Sequence, residues 1–485
     1  MAESHNSVHN SVHEEIKAIH YENQDNLDNK GNPIVLKTES EESLHKPTEE
    51  SPIKASTKET EQTKPKSIYG AIFSMTMLSI GTGCLTFTKK VIMLGFVWFG
   101  VLLIISGLAI YWTLVGLIRV ARKKGDSEYS STVRKILGKG PAVLVDVMAA
   151  IYSWGIIIAF EVIINSLIGR ILYTFFIDKN IYQTFAVYEK EKWDAIKIRA
   201  IVLVSLNVLL FPLCLAKDIG KMKFFSIFGI IALAYTVLVL IIECPFFWSH
   251  YLKNVYVKED KSTHANWIDI TRAFNSNLDF FTAFCTILYS YANHQGAFPI
   301  ERSLHTNDDK LMSIVFRRST ILTLFIYFVI YVSSFLTTPL QSDDLIIFRE
   351  SIFSNDIFMN ISQIAIILEL FFLVPGNFNS MRCSVFHIIF GNEEVRTIPN
   401  IIFSSSTLIL TGLIGGAYRN ILNYISLLGG FCCTTICFLI PGWMMLKVEW
   451  NEMTKIVKIL TFIGISILCI IGYIGGIESV IAFFK

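Results

Sequence analysis

Charge is scarce in this sequence. Lys, Arg, Asp and Glu make up 17% of its 485 residues, 52% are hydrophobic, and the formal net charge is only +2. So thin a polar coat excludes a soluble globular protein, and the absence of a basic or acidic excess gives no pointer to nucleic acid. Nine cysteines are present, but nearly all stand inside apolar runs and none at paired loop spacings. That argues against a disulfide framework, a metal site or a bound cofactor, and for small buried apolar side chains. No apolar core segment occurs in residues 1–66, so no cleavable signal peptide is predicted and the first membrane helix must target the chain. A glycine-rich phosphate loop is missing, as is any soluble stretch long enough for an ATPase, which leaves ATP-driven pumping without support.

What the sequence has instead is long apolar runs. Residues 1–66 are polar, with an imperfect repeat around His5, His9 and His13, and read as a disordered cytosolic tail. From residue 67 on, apolar stretches of about 20 residues or more are the unit to count. They fall at 68–88, 94–118, 142–175, 198–215, 224–243, 278–300, 312–338, 357–382, 398–417, 421–446 and 456–484. The predicted fold is an all-α, multi-pass membrane protein of about eleven spans. Arg119, Arg122, Lys123 and Lys124 after the second span, Lys217, Lys221 and Lys223 after the fourth, and Arg302, Lys310, Arg317 and Arg318 after the sixth place those loops, and the N-terminus, in the cytosol.

Two spans read as interrupted. In the first, Gly81-Thr82-Gly83 stands where a helix should be half way across, and in the sixth, Tyr289, Ser290, Tyr291, Asn293, His294 and Gln295 precede Gly296 and Pro299. A freed backbone group in hydrocarbon costs several kcal/mol, so a broken helix survives only where it lines a cavity and something else bonds the exposed groups. A small zwitterion or cation is a natural partner for half-helix ends. Breaks five spans apart predict two inverted five-helix repeats, about 67–243 and 276–446, with an appended helix at about 456–484. Ile80 to Cys84 and Tyr289 to His294 are thus candidate substrate contacts, and the bland alternatives are a tight helix crossing at the glycines and an aromatic packing stripe. Glu161 and Glu369 stand deep in apolar sequence and, with His294, are candidate coupling groups; the alternative for each is a structural hydrogen bond. Arg382 is expected at lipid headgroups or an inner gate.

The chain resembles the amino acid/auxin permease family. The resemblance rests on Gly70-Ala71-Ile72-Phe73 and Ile80-Gly81-Thr82-Gly83-Cys84-Leu85 in the first span, His294-Gln295-Gly296-Ala297-Phe298-Pro299-Ile300 in the sixth, and Pro375 through Arg382 in the eighth. It covers essentially residues 68–484 and implies the fold of the sodium-coupled leucine transporter, with secondary transport of amino acids by alternating access. One departure bears on mechanism: where sodium-coupled members have an asparagine in the first span, this chain has Met77. A thioether is a poor ligand for a hard cation. The resemblance with that departure favours proton coupling or facilitated flow over sodium. The expected setting is a plasma or vacuolar/lysosomal membrane, and no enzymatic activity is expected. An amino-acid receptor with little flux, reporting through the tail, is the alternative function.

Overall fold

The computed structural model describes residues 67–176, 193–216, 223–254, 277–304, 309–337, 344–349, 352–353, 356–391, 397–417 and 420–484. The expected tail at 1–66 lies outside them, as do Lys217 and Lys221. Among the described residues every regular element is helical. Eight helices are long and apolar enough to cross a bilayer: Phe96–Lys123, Lys139–Ile168, Ile231–His250, Lys310–Thr337, Ile357–Phe390, Thr397–Ala417, Ile421–Val448 and Lys455–Ala482. The shorter fourth helix, Trp193–Leu215, and the divided first and sixth complete the eleven crossings that the apolar runs predict. Spans one and six, five crossings apart, run in opposite directions, the arrangement of two inverted five-helix repeats followed by one further helix.

The first span consists of Ile68–Ser79, Thr82–Leu85 and Phe87–Leu94. Ser67 starts it, its hydroxyl accepting the Gly70 N–H at 3.1 Å. The helix stops at Ile80, and Gly81 is extended (φ −133°, ψ −165°). Helix resumes at Thr82, so the break lies at Ile80-Gly81, slightly ahead of the expected Gly81-Thr82-Gly83. A second bend follows at Thr86, whose N–H and hydroxyl both donate to the Gly83 carbonyl, at 3.2 and 2.6 Å. Gly95, at φ +94°, then turns the chain into the second span at Phe96, so Leu94 closes the first span instead of opening the second.

The sixth span divides into Asn277–Tyr291 and His294–Leu304, with Ala292 and Asn293 between them. The long third and eighth spans, Lys139–Phe176 and Ile357–Phe390, are each one continuous helix and pack along one another. The tenth span departs from the uniform helix that its apolar run predicts: Gly429–Cys433 and Thr435–Leu439 are wound as π-helix between the α-helical Ile421–Leu428 and Ile440–Val448. Threonine hydroxyls stitch this widened stretch, Thr434 to the Gly429 carbonyl at 3.1 Å and Thr435 to the Phe431 carbonyl at 2.7 Å. The eleventh helix, Lys455–Phe484, is more than an appendage, because it lays Gly472, Gly475 and Gly476 directly against the sixth and tenth spans.

Candidate functional site

A cavity of about 580 Å³ opens where the two interrupted spans meet. Phe73, Ser74, Met77, Leu78 and Ile80 of the first span's leading half form one wall, and Ala292 through Gly296 with Pro299 and Ile300 form the next. Tyr152, Ser153 and Ile156 come from the third span, Gly229 from the fifth, Glu369, Leu373, Asn377 and Ser380 from the eighth, and Cys433, Ile436 and Cys437 from the π-helical stretch. Apart from Ile80, Ala292 and Asn293 at the breaks themselves, everything the two broken spans contribute comes from the half lying toward the N-terminal side of the membrane. The cavity is therefore accessible from that side and closed on the other.

The closure is built from the trailing half of span one and the leading half of span six. Tyr327, from the seventh span, places its hydroxyl 2.5 Å from the Ser79 carbonyl and 2.6 Å from the Ser290 carbonyl, the two groups freed where the helices stop. Its ring meets Phe87 and Tyr291 edge-on at 5.3 and 4.9 Å. The sequence alone leaves such groups to a ligand, whereas the fold supplies a buried tyrosine for two of them. Farther along, Lys89 pairs with Asp344 at 2.9 Å, and the buried turn Ile346–Phe348 is held by Gln363 donating to the Ile347 carbonyl at 2.9 Å. Arg349, at the end of that turn, pairs with Glu243 and stacks over the Phe247 ring.

Of the residues singled out in the sequence, Ile80, Asn293, His294 and Glu369 line the cavity. Asn293 donates to the Ser79 hydroxyl at 2.7 Å, bridging the two breaks, and its carbonyl oxygen is buried without a partner. His294 opens the trailing half of span six, with Nε2 3.0 Å from Thr113 Oγ1. That hydroxyl faces the Ala109 and Ile110 carbonyls at 3.1 Å each, which engages its own proton. Nε2 therefore donates to Thr113, and Nδ1 is left as a buried acceptor with no partner.

The other predicted contacts sit behind the wall. Gly81 faces open space, since a Cβ built on it meets nothing within 4 Å, whereas one on Gly83 would lie 2.3 Å from Ser290 Oγ. Gly83 is thus small because two helices cross there. Cys84 points its thiol back at the Gly81 carbonyl at 3.0 Å, and Thr82 opens the short helical turn. Tyr289 packs against Tyr152 with ring centroids 5.7 Å apart, Ser290 bonds its own helix at the Thr286 carbonyl, and the Tyr291 hydroxyl is buried beside Gly107.

Glu161 is fully buried away from the cavity, receiving a hydrogen bond of 3.0 Å from Asn207, which also donates to the Leu408 carbonyl. Arg382 reaches neither lipid headgroups nor the cavity. It is completely buried and donates to the Cys214 and Ala216 carbonyls at the end of the fourth span and to the Asn379 and Asn400 side chains. Five guanidinium donors suit that bundle of acceptors, and the residue ties spans four, eight and nine together. Arg382→Leu is expected to strand these carbonyls and lower stability by on the order of 3 kcal/mol, visible as a lower melting temperature in detergent.

Sequence reasoning missed Tyr152, Ser153, Gly229, Asn377, Cys433 and Cys437. Their one signal is a polar or small side chain inside an otherwise apolar run, which many packing positions share. Among the described residues no group of three His, Cys, Asp or Glu is placed to hold a metal.

Helices broken at mid-membrane around a one-sided cavity, in a bundle of eleven crossings, define a multi-pass membrane transporter. The chain matches the family described as transmembrane amino acid transporter protein over residues 64–483, and it belongs to that family. It is similar to sodium-coupled neutral amino acid transporter 7 of Danio rerio, 25% identical over 401 residues that cover 80% of each chain. The Homo sapiens protein of the same name is 24% identical over 415 residues, covering 80% of this chain and 81% of its own. Amino acid transporter AVT6E of Arabidopsis thaliana is 22% identical over 430 residues, covering 85% and 83%. Among solved structures, the manganese transporter of Eremococcus coleocola is similar at 13% identity and a TM-score of 0.46, covering 86% of this chain and 87% of that one.

Proposed function

We propose that the protein carries amino acids across a membrane by alternating access, and that the cavity between the broken spans is its substrate site, held here in the state open toward the N-terminal side. The observation that carries this reading is the meeting of both breaks at one cavity of about 580 Å³, room enough for an amino acid with a large side chain. The α-carboxylate and α-amino groups would be held by the extended backbone at Ile80-Gly81 and by Asn293 and His294. Gly81→Leu is expected to leave the protein folded and in the membrane, because the added side chain meets open space, and to abolish uptake by filling the path at the break. Normal flux from that variant would remove the break from the substrate site.

Transport would be driven by a proton gradient or by substrate flow. The similar vertebrate proteins are named as sodium-coupled, but Met77 lines the cavity of this chain and offers a thioether where a sodium ion wants oxygen. Proton carriers would be drawn from Glu161 and His294, each with a buried acceptor atom lacking a partner, and from Glu369 in the cavity wall. The setting would be a plasma or vacuolar/lysosomal membrane, with the N-terminus in the cytosol, the tail at 1–66 as a separate segment, and no enzymatic activity. Purified protein in proteoliposomes, given a panel of amino acids under separate Na⁺ and H⁺ gradients, tests both substrate and coupling. Accumulation that requires Na⁺ would reverse the coupling assignment, and no accumulation of any amino acid would overturn the transport reading. Within the same assay, Glu161→Gln is expected to remove the pH-gradient drive but spare exchange if that carboxylate carries the proton.

A further inference from the structure

Within the cavity one side chain is out of balance with its surroundings. Glu369 is only 7% exposed and lines the wall, while no lysine or arginine is among the lining residues. No described residue hydrogen-bonds its carboxylate, in contrast to Glu161 with its Asn207 donor and to Glu243 with its Arg349. Gly229 of the fifth span keeps this corner open, since a Cβ there would lie 3.1 Å from Glu369 Cγ and 3.4 Å from its Oε1. In its ionised form a carboxylate in a mostly apolar cavity needs a cation or a strong donor, because an unpaired buried charge is expensive and otherwise takes up a proton. A neutral amino acid, itself a zwitterion, brings no net charge to balance it.

We infer that the cavity takes amino acids with a basic side chain, the ammonium or guanidinium of the substrate pairing with Glu369. This rests on the cavity being the substrate site. With the substrate's α-groups at the two helix breaks, the side chain extends toward the fifth and eighth spans, and a guest of net charge +1 leaves the filled cavity neutral. The eighth span adds acceptors for the remaining N–H groups, since the Asn377 and Ser380 side chains line the same wall. A guanidinium, with five donors in a fixed fork, would engage the carboxylate in two parallel bonds.

The test uses the full chain, purified and reconstituted, with radiolabelled lysine, arginine and glutamine read both as equilibrium binding to protein in detergent and as uptake into proteoliposomes. The expected result is that lysine and arginine bind and are carried, that Glu369→Gln lowers the lysine-to-glutamine ratio in both measurements by about tenfold or more, and that Glu369→Asp keeps most of that ratio. A ratio unchanged within about twofold in Glu369→Gln overturns the inference. Loss of pH-gradient drive in that variant with an unaltered substrate order does so too, and assigns the carboxylate to a proton. If the wild type accumulates glutamine but neither binds nor carries lysine, transport stands and the basic-substrate inference falls. If it binds lysine in a Glu369-dependent way but accumulates no amino acid, the site assignment stands and the transport reading falls.

Discussion

Replacing Tyr327 with phenylalanine is expected to be among the most damaging single-atom changes in the protein. The lost hydroxyl is the shared donor for the Ser79 and Ser290 carbonyls, 2.5 and 2.6 Å away, which the two interrupted helices leave without intrahelical partners. Stranding a buried acceptor costs about 1–3 kcal/mol. The ring contacts with Phe87 and Tyr291 survive the change, so the loss reports on the hydrogen bonds and not on packing. The strap joins the two broken spans at their breaks, and any separation of the spans there would break it. Removing it should therefore shift the balance between the two access states as well as lower stability. A bias of 1–3 kcal/mol corresponds to roughly 5- to 150-fold in that equilibrium. Cysteine accessibility from the far side, measured in Tyr327→Phe with a reporter cysteine on the closed face, should rise accordingly. Unchanged accessibility together with an unchanged melting temperature would show that the strap contributes nothing.

The second large effect is expected at Gly83. A methyl group there would be built 2.3 Å from Ser290 Oγ, 2.8 Å from a Tyr289 ring carbon and 3.1 Å from the Ser290 Cα, and the last of these is backbone that cannot swing aside. Gly83→Ala must push spans one and six apart, a strain of about 1–3 kcal/mol borne by the closed side of the cavity. Reduced thermal stability and strongly reduced uptake are expected together. Adding Ser290→Ala removes the nearest clash but leaves the one with the backbone of that residue, so rescue should be partial. The contrast with Gly81 is sharp, since two residues away the same substitution meets nothing within 4 Å and should cost little stability. Equal stability losses at the two positions would contradict the division between a glycine at a helix crossing and a glycine facing open space.

That division marks the limit of what the sequence could tell. Apolar run lengths and the glycine and polar residues that interrupt them are local properties, and they led to the eleven crossings and to the interruptions in spans one and six. Glycine in the first break and the polar run before Gly296 also located the cavity, since Ile80, Asn293 and His294 line it. Which glycine crosses a helix and which faces a void is decided by a partner about two hundred positions along the chain, and nothing near Gly81 or Gly83 encodes it. Tyr327 was invisible for the same reason, being one aromatic residue in an apolar span whose importance comes from what it reaches. Of the two expectations for Arg382, the one at lipid headgroups fails because a cation near a span end reads as an interfacial residue, whereas the carbonyls it binds belong to the fourth span. The π-helical winding of the tenth span has no counterpart in residue spacing, because the apolar residues there are too continuous to reveal a period.

The last helix of the chain sets a mechanical condition on the rest. A Cβ on Gly475 would stand 2.4 Å from the Phe281 carbonyl, and one on Gly430 would stand 2.4 Å from the Gly476 Cα, so backbone rests on backbone along this seam. Surfaces that close leave no slack for sliding, and they moor Asn277–Tyr291 and the tenth span to the final helix as one stator. Of the sixth span, His294–Leu304 lies outside this seam, and it is held instead by Thr113 at His294 and by Arg122 at Glu301.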